Sequence, residues 1–462
     1  MRADSPDRLG LAGLAAFSLP MVVVMAVEIA WRVYLPSFFA TTLGLSLGVA
    51  GALLMAARLF DSLIDPAIAW ASDRFPTRYG QRRPWLVASA PPIMLGAAGV
   101  FFVWPWTSLA TLIASGLLLH LGYMMLVTPH GGWALEIARD PGERLRIMGA
   151  KTWFGVAGMI VVLLLPAALE RGLGVGREGQ VAALGAILLL LCPLSVFLIV
   201  RHVAEPVLPR TRAAELANPL RLFAGILRTP ALRPILLLYL FTGLTESAGS
   251  AIFLFFIEDT LKLGGWGSTL LLLQAAAALV TLPLWSKIGM RIGRRPMLML
   301  VFGWQIAIAP FALLVPAGMM APAIAFLLLR SLFIGVDFTL LRAMVADVAG
   351  ETAATGLRHG ASCYSISNIT LKLSMGAGAW LALSAIAAMS AGDAAPSVDD
   401  LERHAMTVRV VYAFVPVVTG ALALFVLGAG SPRASNAHRG ANPRLNVGQA
   451  IGGGTAVPTR SQ

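Results

Sequence analysis

Twelve stretches of about 20 or more mostly apolar residues dominate this chain. They lie near 12–37, 47–71, 85–104, 107–134, 149–169, 181–200, 233–257, 267–286, 296–316, 320–345, 362–390 and 407–429. A helix needs that length to cross the hydrocarbon of a bilayer, where every backbone N–H and C=O must be satisfied within the protein. Composition agrees: 58% of the 462 residues are hydrophobic and only 13% are charged, against about 25% in soluble domains. Mean hydropathy is +0.79. An ordinary soluble enzyme would need far more polar surface. The run from Leu11 is too long for a signal peptide and continues through Glu28 and Arg32. The expected class is an all-α integral membrane protein of twelve helices.

The distribution of charge sets an orientation. With both termini in the cytoplasm, only Arg171, Arg177, Lys262 and Arg403 of the 35 Lys and Arg fall in outer loops. Arg32, Arg58, Arg330, Lys372 and Arg409 lie at membrane depth, and the rest are on the inner side. The net charge of +12 is therefore read as positive-inside bias rather than as nucleic-acid binding. The expected setting is a bacterial inner membrane, with a monomer in the lipid bilayer.

A repeat divides the chain. The loop after the second span runs from Trp70 to Gly80, Arg82, Arg83 and Pro84. The loop after the eighth runs from Trp285 to Gly293, Arg294, Arg295 and Pro296. This predicts two six-helix bundles, 1–200 and 233–430, a cytoplasmic linker at 201–232 and a disordered cytoplasmic tail at 431–462. Such a two-half bundle resembles the major facilitator superfamily, which implies a substrate site between the halves at mid-depth.

Ionisable groups in a membrane are expensive and need a reason. Asp61 and Asp65 are one helical turn apart and share a face, with Arg58 one turn before Asp61. Two carboxylates that close repel in low dielectric unless a proton or cation joins them, so the pair is a candidate coupling site. The alternative is an ion pair with Arg58 that only fixes packing. Lys372 in the eleventh span is a candidate tethered cation for both aspartates, or a snorkelling lysine.

The second span and its loop resemble the glycoside–pentoside–hexuronide:cation symporters, the melibiose permease group. Arg58, Asp61, Asp65-Pro66, Asp73-Arg74, Gly80, Arg83 and Pro84 carry the likeness. So do Pro129-His-Gly-Gly-Trp133-Ala-Leu-Glu136, Glu143 to Arg146, Ala346-Asp347, Thr355-Gly356, Arg358 and Tyr364 to Lys372. The resemblance implies a cation site of Asp61 and Asp65 near Lys372. Ile64 stands where that group has a sodium-ligand Asn, and Met124 where it has a Thr. Met25 and Val127 replace its two sugar-binding carboxylates. Hard cations such as sodium want several oxygens, whereas a proton needs one carboxylate. The expected coupling ion is H+ rather than Na+, and the expected cargo a sugar or glycoside, with a lysolipid or other amphiphile as the alternative.

Candidate substrate-binding residues are Glu28, Arg32, His130, Trp133, Lys151, Glu246, Asp337, Tyr364 and Asn368. Glu28 and Arg32 could instead form a local i, i+4 pair, His130 could be structural, and Asp337 could pair with Arg330 on its helix face. Trp31, Trp153 and Trp380 could stack on a ring or belong to the lipid interface. Asp73, Arg74, Arg82 and Arg83 are expected to form a cytoplasmic gate. Glu136 would join Arg144 or Arg146, and Asp347 would join Arg358. No Walker A, His-Glu-x-x-His or Gly-x-Ser-x-Gly motif occurs, and the two Cys imply no disulfide framework. No enzyme, metal or cofactor is expected.

Overall fold

The computed structural model describes residues 9–75, 77–137, 141–205, 230–354, 360–389 and 398–429. The expected tail at 431–462 lies outside them, as does most of the expected linker at 201–232. Twelve helices are long and apolar enough to cross a membrane. They are α1 Leu11–Thr41, α2 Leu47–Ser72, α3 Arg83–Phe101, α4 Leu109–Ala134, α5 Arg146–Leu173 and α6 Arg177–His202, then α7 Leu232–Thr260, α8 Gly267–Gly289, α9 Arg294–Leu313, α10 Met320–Val348, α11 Ser365–Met389 and α12 Asp400–Ala429. Among the described residues no strand forms; Thr77 and Gly80 make an isolated bridge. The face carrying the loops around residues 75–82 and Gly293 is called the basic face below, and the opposite one the far face.

The halves repeat in backbone detail where α1 and α7 end. The Leu43 and Leu45 N–H groups donate to Phe38 and Phe39 carbonyls at 3.2 and 2.9 Å. Leu261 and Leu263 donate likewise to Phe256 and Ile257, both at 3.0 Å. Gly44 and Lys262 turn the chain at φ 67° and 54° in these matching positions. A π-helical turn closes α7 at Phe256–Thr260, whereas the one in α1, Ala30–Tyr34, lies further inside the span and has no counterpart in α7, which is α-helical from Leu232 to Phe255.

α10 is not one helix. Its first part ends at Ser331, and Leu332–Gly335 make a tight non-helical link with Gly335 at φ 83° before a second helix starts at Val336. The seven-residue spacing from Arg330 to Asp337 therefore does not place them on one helix face.

In lipid there is little hydrophobic force between helices, so close backbone approach matters more. A Cβ added at Gly96 of α3 would stand 2.4 Å from the backbone nitrogen of Leu119 in α4. One added at Gly149 in α5 would meet nothing within 4 Å. Alanine ordinarily improves a helix by up to about 1 kcal/mol over glycine. Gly149→Ala should therefore be neutral or stabilising, and Gly96→Ala should destabilise by about 1–3 kcal/mol through overpacking. Thermal unfolding in detergent checks the pair: equal melting temperatures would contradict this packing of α3 on α4.

Candidate functional site

The polar centre is built from α1, α2, α4, α7 and α11. Arg58 donates to Glu28 twice, Nη2 to Oε2 at 2.8 Å and Nη1 to Oε1 at 3.2 Å. The same Nη1 lies 3.3 Å from Asp61 Oδ2. The Tyr123 hydroxyl donates to Glu28 Oε1 at 2.8 Å. The other oxygen of Asp61 lies 2.9 Å from His120 Nδ1. Asp65, one turn on, accepts from Lys372 Nζ at 2.8 Å and from the Thr128 hydroxyl. Each of the four carboxylate oxygens of Asp61 and Asp65 thus has its own donor or ring nitrogen.

The two aspartates are separated by environment as well as by partner. The Asp61 side chain is 0% exposed and that of Asp65 is 32% exposed. Lys372 bonds Asp65 and not Asp61, so the expectation of one lysine serving both is corrected. Adjacent positions on a helix face need not share a partner, because the neighbouring helices approach them from different sides. His120, Tyr123 and Thr128 were not anticipated. The signal available was His120, which with His130 is one of two histidines inside an otherwise mostly apolar fourth span.

A second polar cluster bridges the halves. Arg32 Nη2 donates to Glu246 Oε1 at 2.7 Å and to Ser250 Oγ at 3.2 Å. Glu28 and Arg32 therefore do not pair locally. The π-helical turn at Ala30–Tyr34 widens the spacing per turn and swings Arg32 off the face that carries Glu28. Arg32 and Glu246 open on a cavity of about 340 Å³. Its polar lining includes Gln274, Gln305, Arg330 and Asp337. Arg330 stacks on the Tyr412 ring at 4.2 Å, and an oxygen of Asp337 accepts the Phe338 N–H at 2.9 Å. Met159 and Leu163 of α5 face Leu271, Ala275 and Leu279 of α8 along an apolar wall.

Other candidates stand away from this cavity. His130 is buried, with Nε2 2.7 Å from the Phe17 carbonyl. Trp133 is buried edge-on against the Phe17 ring. Lys151 lies 6.0 Å from that ring. These three are correctly described as a packed group at Phe17 rather than as cavity lining. Asn368 is half-buried in α11 and does not line the cavity. The side chain of Tyr364 lies outside the described residues.

On the basic face Arg82 is buried and bonds Glu136, with Nε 3.2 Å from both carboxylate oxygens. Arg294 bonds Asp347 in the corresponding place of the second half. The expected partners differ: Arg146 donates to the Leu9 carbonyl at 2.9 Å instead of to Glu136. Arg358 and the side chains of Asp73 and Arg144 lie outside the described residues. Arg74 covers the Trp70 ring. Arg83 donates to the Val203 carbonyl. Glu205 gathers the backbone N–H groups of Gln81, Arg82 and Arg83 at 2.7, 2.6 and 3.2 Å, fixing this loop. On the far face the halves are tied by Arg177 to Glu258 and by the Ser268 N–H to Glu170 Oε2 at 3.0 Å.

Comparison with known proteins places this geometry. A family model described as MFS/sugar transport protein matches residues 16–428. An uncharacterized symporter of Synechocystis is 27% identical over 255 residues, 51% of this chain and 45% of that protein. A putative glycoside/cation symporter of Escherichia coli is 29% identical over 156 residues, 33% of this chain and 34% of that protein. The chain thus matches less than half the length of these two relatives. A glucuronide carrier protein homolog of Escherichia coli is 25% identical over 371 residues, 73% of this chain and 75% of that protein. Among solved structures, a nucleoside transporter superposes with TM-score 0.67 at 13% identity, covering 90% of this chain and 99% of that one. An inward-facing bacterial homolog of the human lysosomal transporter Spinster superposes with TM-score 0.65 at 14% identity, covering 90% of this chain and 95% of that one. These structures share the fold.

Proposed function

The chain belongs to the MFS/sugar transport protein family, and from that premise we propose that it is a proton-coupled symporter carrying a sugar or glycoside by alternating access. It is a multi-pass secondary transporter and not an enzyme. The observation that carries the proposal is the cross-half pair Arg32–Glu246 in the cavity wall, beside the buried cluster of Glu28, Arg58 and Asp61. A ligand that engages Arg32 or Glu246 touches both halves at once and is one residue from Trp31, whose ring packs on His120.

The polar side of the cavity offers donors and acceptors suited to hydroxyl groups: Gln274, Gln305, Thr245, Ser250 and Asp337. At about 340 Å³ it is at the small end of ordinary ligand sites. Asp61, Asp65, Lys372 and Arg58 carry coupling in this reading. A proton is favoured over sodium because every oxygen of the two aspartates already has a partner on the protein. A hard cation would have to displace several of them at once. Arg82–Glu136 and Arg294–Asp347 serve as gate elements on a cytoplasmic basic face. Both termini are placed in the cytoplasm of a bacterial cell, and the carrier works as a monomer in the inner membrane.

A second reading has its own support. The apolar wall of α5 and α8 would suit the chain of a lysolipid or other amphiphile better than a sugar. Substrate-evoked currents on a solid-supported membrane separate the two. The panel is methyl glycosides, pentoses, hexuronates and lysolipid, with and without sodium, at two pH values. Sodium-independent, pH-sensitive glycoside currents are expected. Silence to every sugar with a lysolipid response would move the cargo to the amphiphile class. Currents that need sodium would overturn proton coupling.

A further inference from the structure

We propose that the transported proton is held by His120 together with Asp61, and not between Asp61 and Asp65. The inference rests on the proton-symport reading and names the site within it.

Charge balance points there first. The polar centre and the cavity wall beside it hold the carboxylates of Glu28, Asp61, Asp65 and Glu246 and the cations of Arg32, Arg58 and Lys372. Carboxylates exceed cations by one. Asp65 is neutralised by Lys372, and Glu246 by Arg32. Arg58 is shared between Glu28 and Asp61, so the excess negative charge resides on that trio. A net charge beside the fully buried Asp61 is costly, and one added proton removes it.

Geometry selects the acceptor. His120 Nδ1 sits 2.9 Å from Asp61 Oδ1, and both side chains are essentially unexposed. The other ring nitrogen, Nε2, is buried without a hydrogen-bond partner among the described residues. Neutral imidazole with Nδ1 protonated already satisfies Asp61 and leaves Nε2 as a vacant acceptor; a proton arriving there gives imidazolium against carboxylate. No bond other than this N–H forms, and the charge stays on the ring next to its counter-ion.

The other carboxylates of the centre, Glu28 and Asp65, are each already held by protein donors. From α1 His120 meets the Trp31 ring at 4.5 Å, with Glu28 beyond it bound to Arg58 and Tyr123. From α2 it meets Asp61, with Arg58 one turn away and Asp65 on the far side held by Lys372 of α11. Tyr123 follows on its own helix, with ring centres 6.2 Å apart. α3, packed against α4, carries no ionisable residue after Arg83.

The same arrangement connects the proton to the cargo. Trp31 and Arg32 are neighbours on the π-helical turn of α1. Trp31 packs on His120, while Arg32 faces the cavity and Glu246. A small void of about 10 Å³ lies between Trp31, Arg32 and Arg58. A ligand that shifts Arg32 therefore moves the ring that covers the protonation site.

The test is histidine-selective 15N NMR on the full chain in lipid nanodiscs, with His120→Gln to assign the signal. The expected result is a doubly protonated His120 ring when the parent is held at acidic pH. At the same pH the doubly protonated form should be lost in Asp61→Asn, where the counter-ion is gone. Asp65→Asn should leave it nearly unchanged, since Lys372 already balances Asp65. A ring that stays neutral in the parent overturns the inference, as does a charged form that is lost in Asp65→Asn instead. Should His120→Gln fail to fold, the two Asp variants still decide the matter by which of them moves a histidine signal. Failure here leaves the symport reading standing if glycoside currents are pH-driven. Sodium-driven, pH-insensitive currents would instead overturn the reading and the inference with it.

Discussion

Asp61→Asn is expected to abolish uphill accumulation while sparing exchange. One proton moved through 100 mV supplies about 2.3 kcal/mol, which supports an accumulation of roughly 50-fold. The amide keeps the size of the carboxylate and an oxygen for Arg58, but it removes the excess negative charge from the trio with Glu28. The centre is then neutral with His120 uncharged, and no proton is required for the carrier to turn over. Accumulation should fall to about 1-fold. The cavity residues Arg32, Glu246, Gln274 and Gln305 are untouched, so exchange of labelled for unlabelled substrate should continue. Uptake into proteoliposomes under a pH gradient, compared with counterflow without one, gives the two readouts. A variant that accumulates like the parent would remove Asp61 from coupling.

Arg58→Ala should be the most damaging single truncation at the centre. Arg58 is 4% exposed and is the cation for both Glu28 and Asp61. Its removal leaves Glu28 with Tyr123 and Asp61 with His120. Breaking a buried charge pair typically costs 3–5 kcal/mol, because a charge is left behind in low dielectric. Lys372→Ala removes a partner from Asp65, which is one-third exposed and keeps Thr128. Solvent reaches that carboxylate, so the loss should be about 1 kcal/mol. Melting temperatures by fluorescence-detected size exclusion should therefore fall much further for Arg58→Ala than for Lys372→Ala. Adding Glu28→Gln to Arg58→Ala should recover part of the difference. If the single variant melts with the parent, Arg58 is not what holds these carboxylates.

Several relations at this site were legible in the sequence. The costly residues themselves stand out against apolar runs: Arg58, Asp61, Asp65 and Lys372 all fall in the centre, and Glu28, Arg32, Glu246 and Asp337 line or adjoin the cavity. The Arg-Arg-Pro loops marked the repeat, and Arg82 and Arg294 make matching ion pairs, with Glu136 and Asp347. What was not legible was who pairs with whom. Glu28 and Arg32 are spaced as a local pair, and an ordinary α-helix would make them one. The π-helical turn adds residues to that turn and sends Arg32 to α7. Arg330 and Asp337 are spaced to share a face, and the link at Leu332–Gly335 separates them. His130 and His120 are two histidines of the same span four. One caps the Phe17 carbonyl and the other meets Asp61, and only the rotation of α4 against α1 and α2 distinguishes them.

The sequence by itself determined that the chain spans a membrane twelve times, in two related halves, and that most of its central charged residues, Arg58, Asp61, Asp65 and Lys372 among them, lie at membrane depth. Hydrocarbon forces that outcome, because apolar length and the expense of charge are properties of residues taken one by one. Tertiary structure decided how the buried charges are divided: Arg58 to Glu28 and Asp61, Lys372 to Asp65, Arg32 to Glu246. Ion pairing acts over a few ångströms between side chains of different helices. It depends on helix rotation, on local departures from 3.6 residues per turn and on which glycines permit close approach. Those relations leave no mark in the spacing of one helix, and they are what leave a single negative charge beside His120.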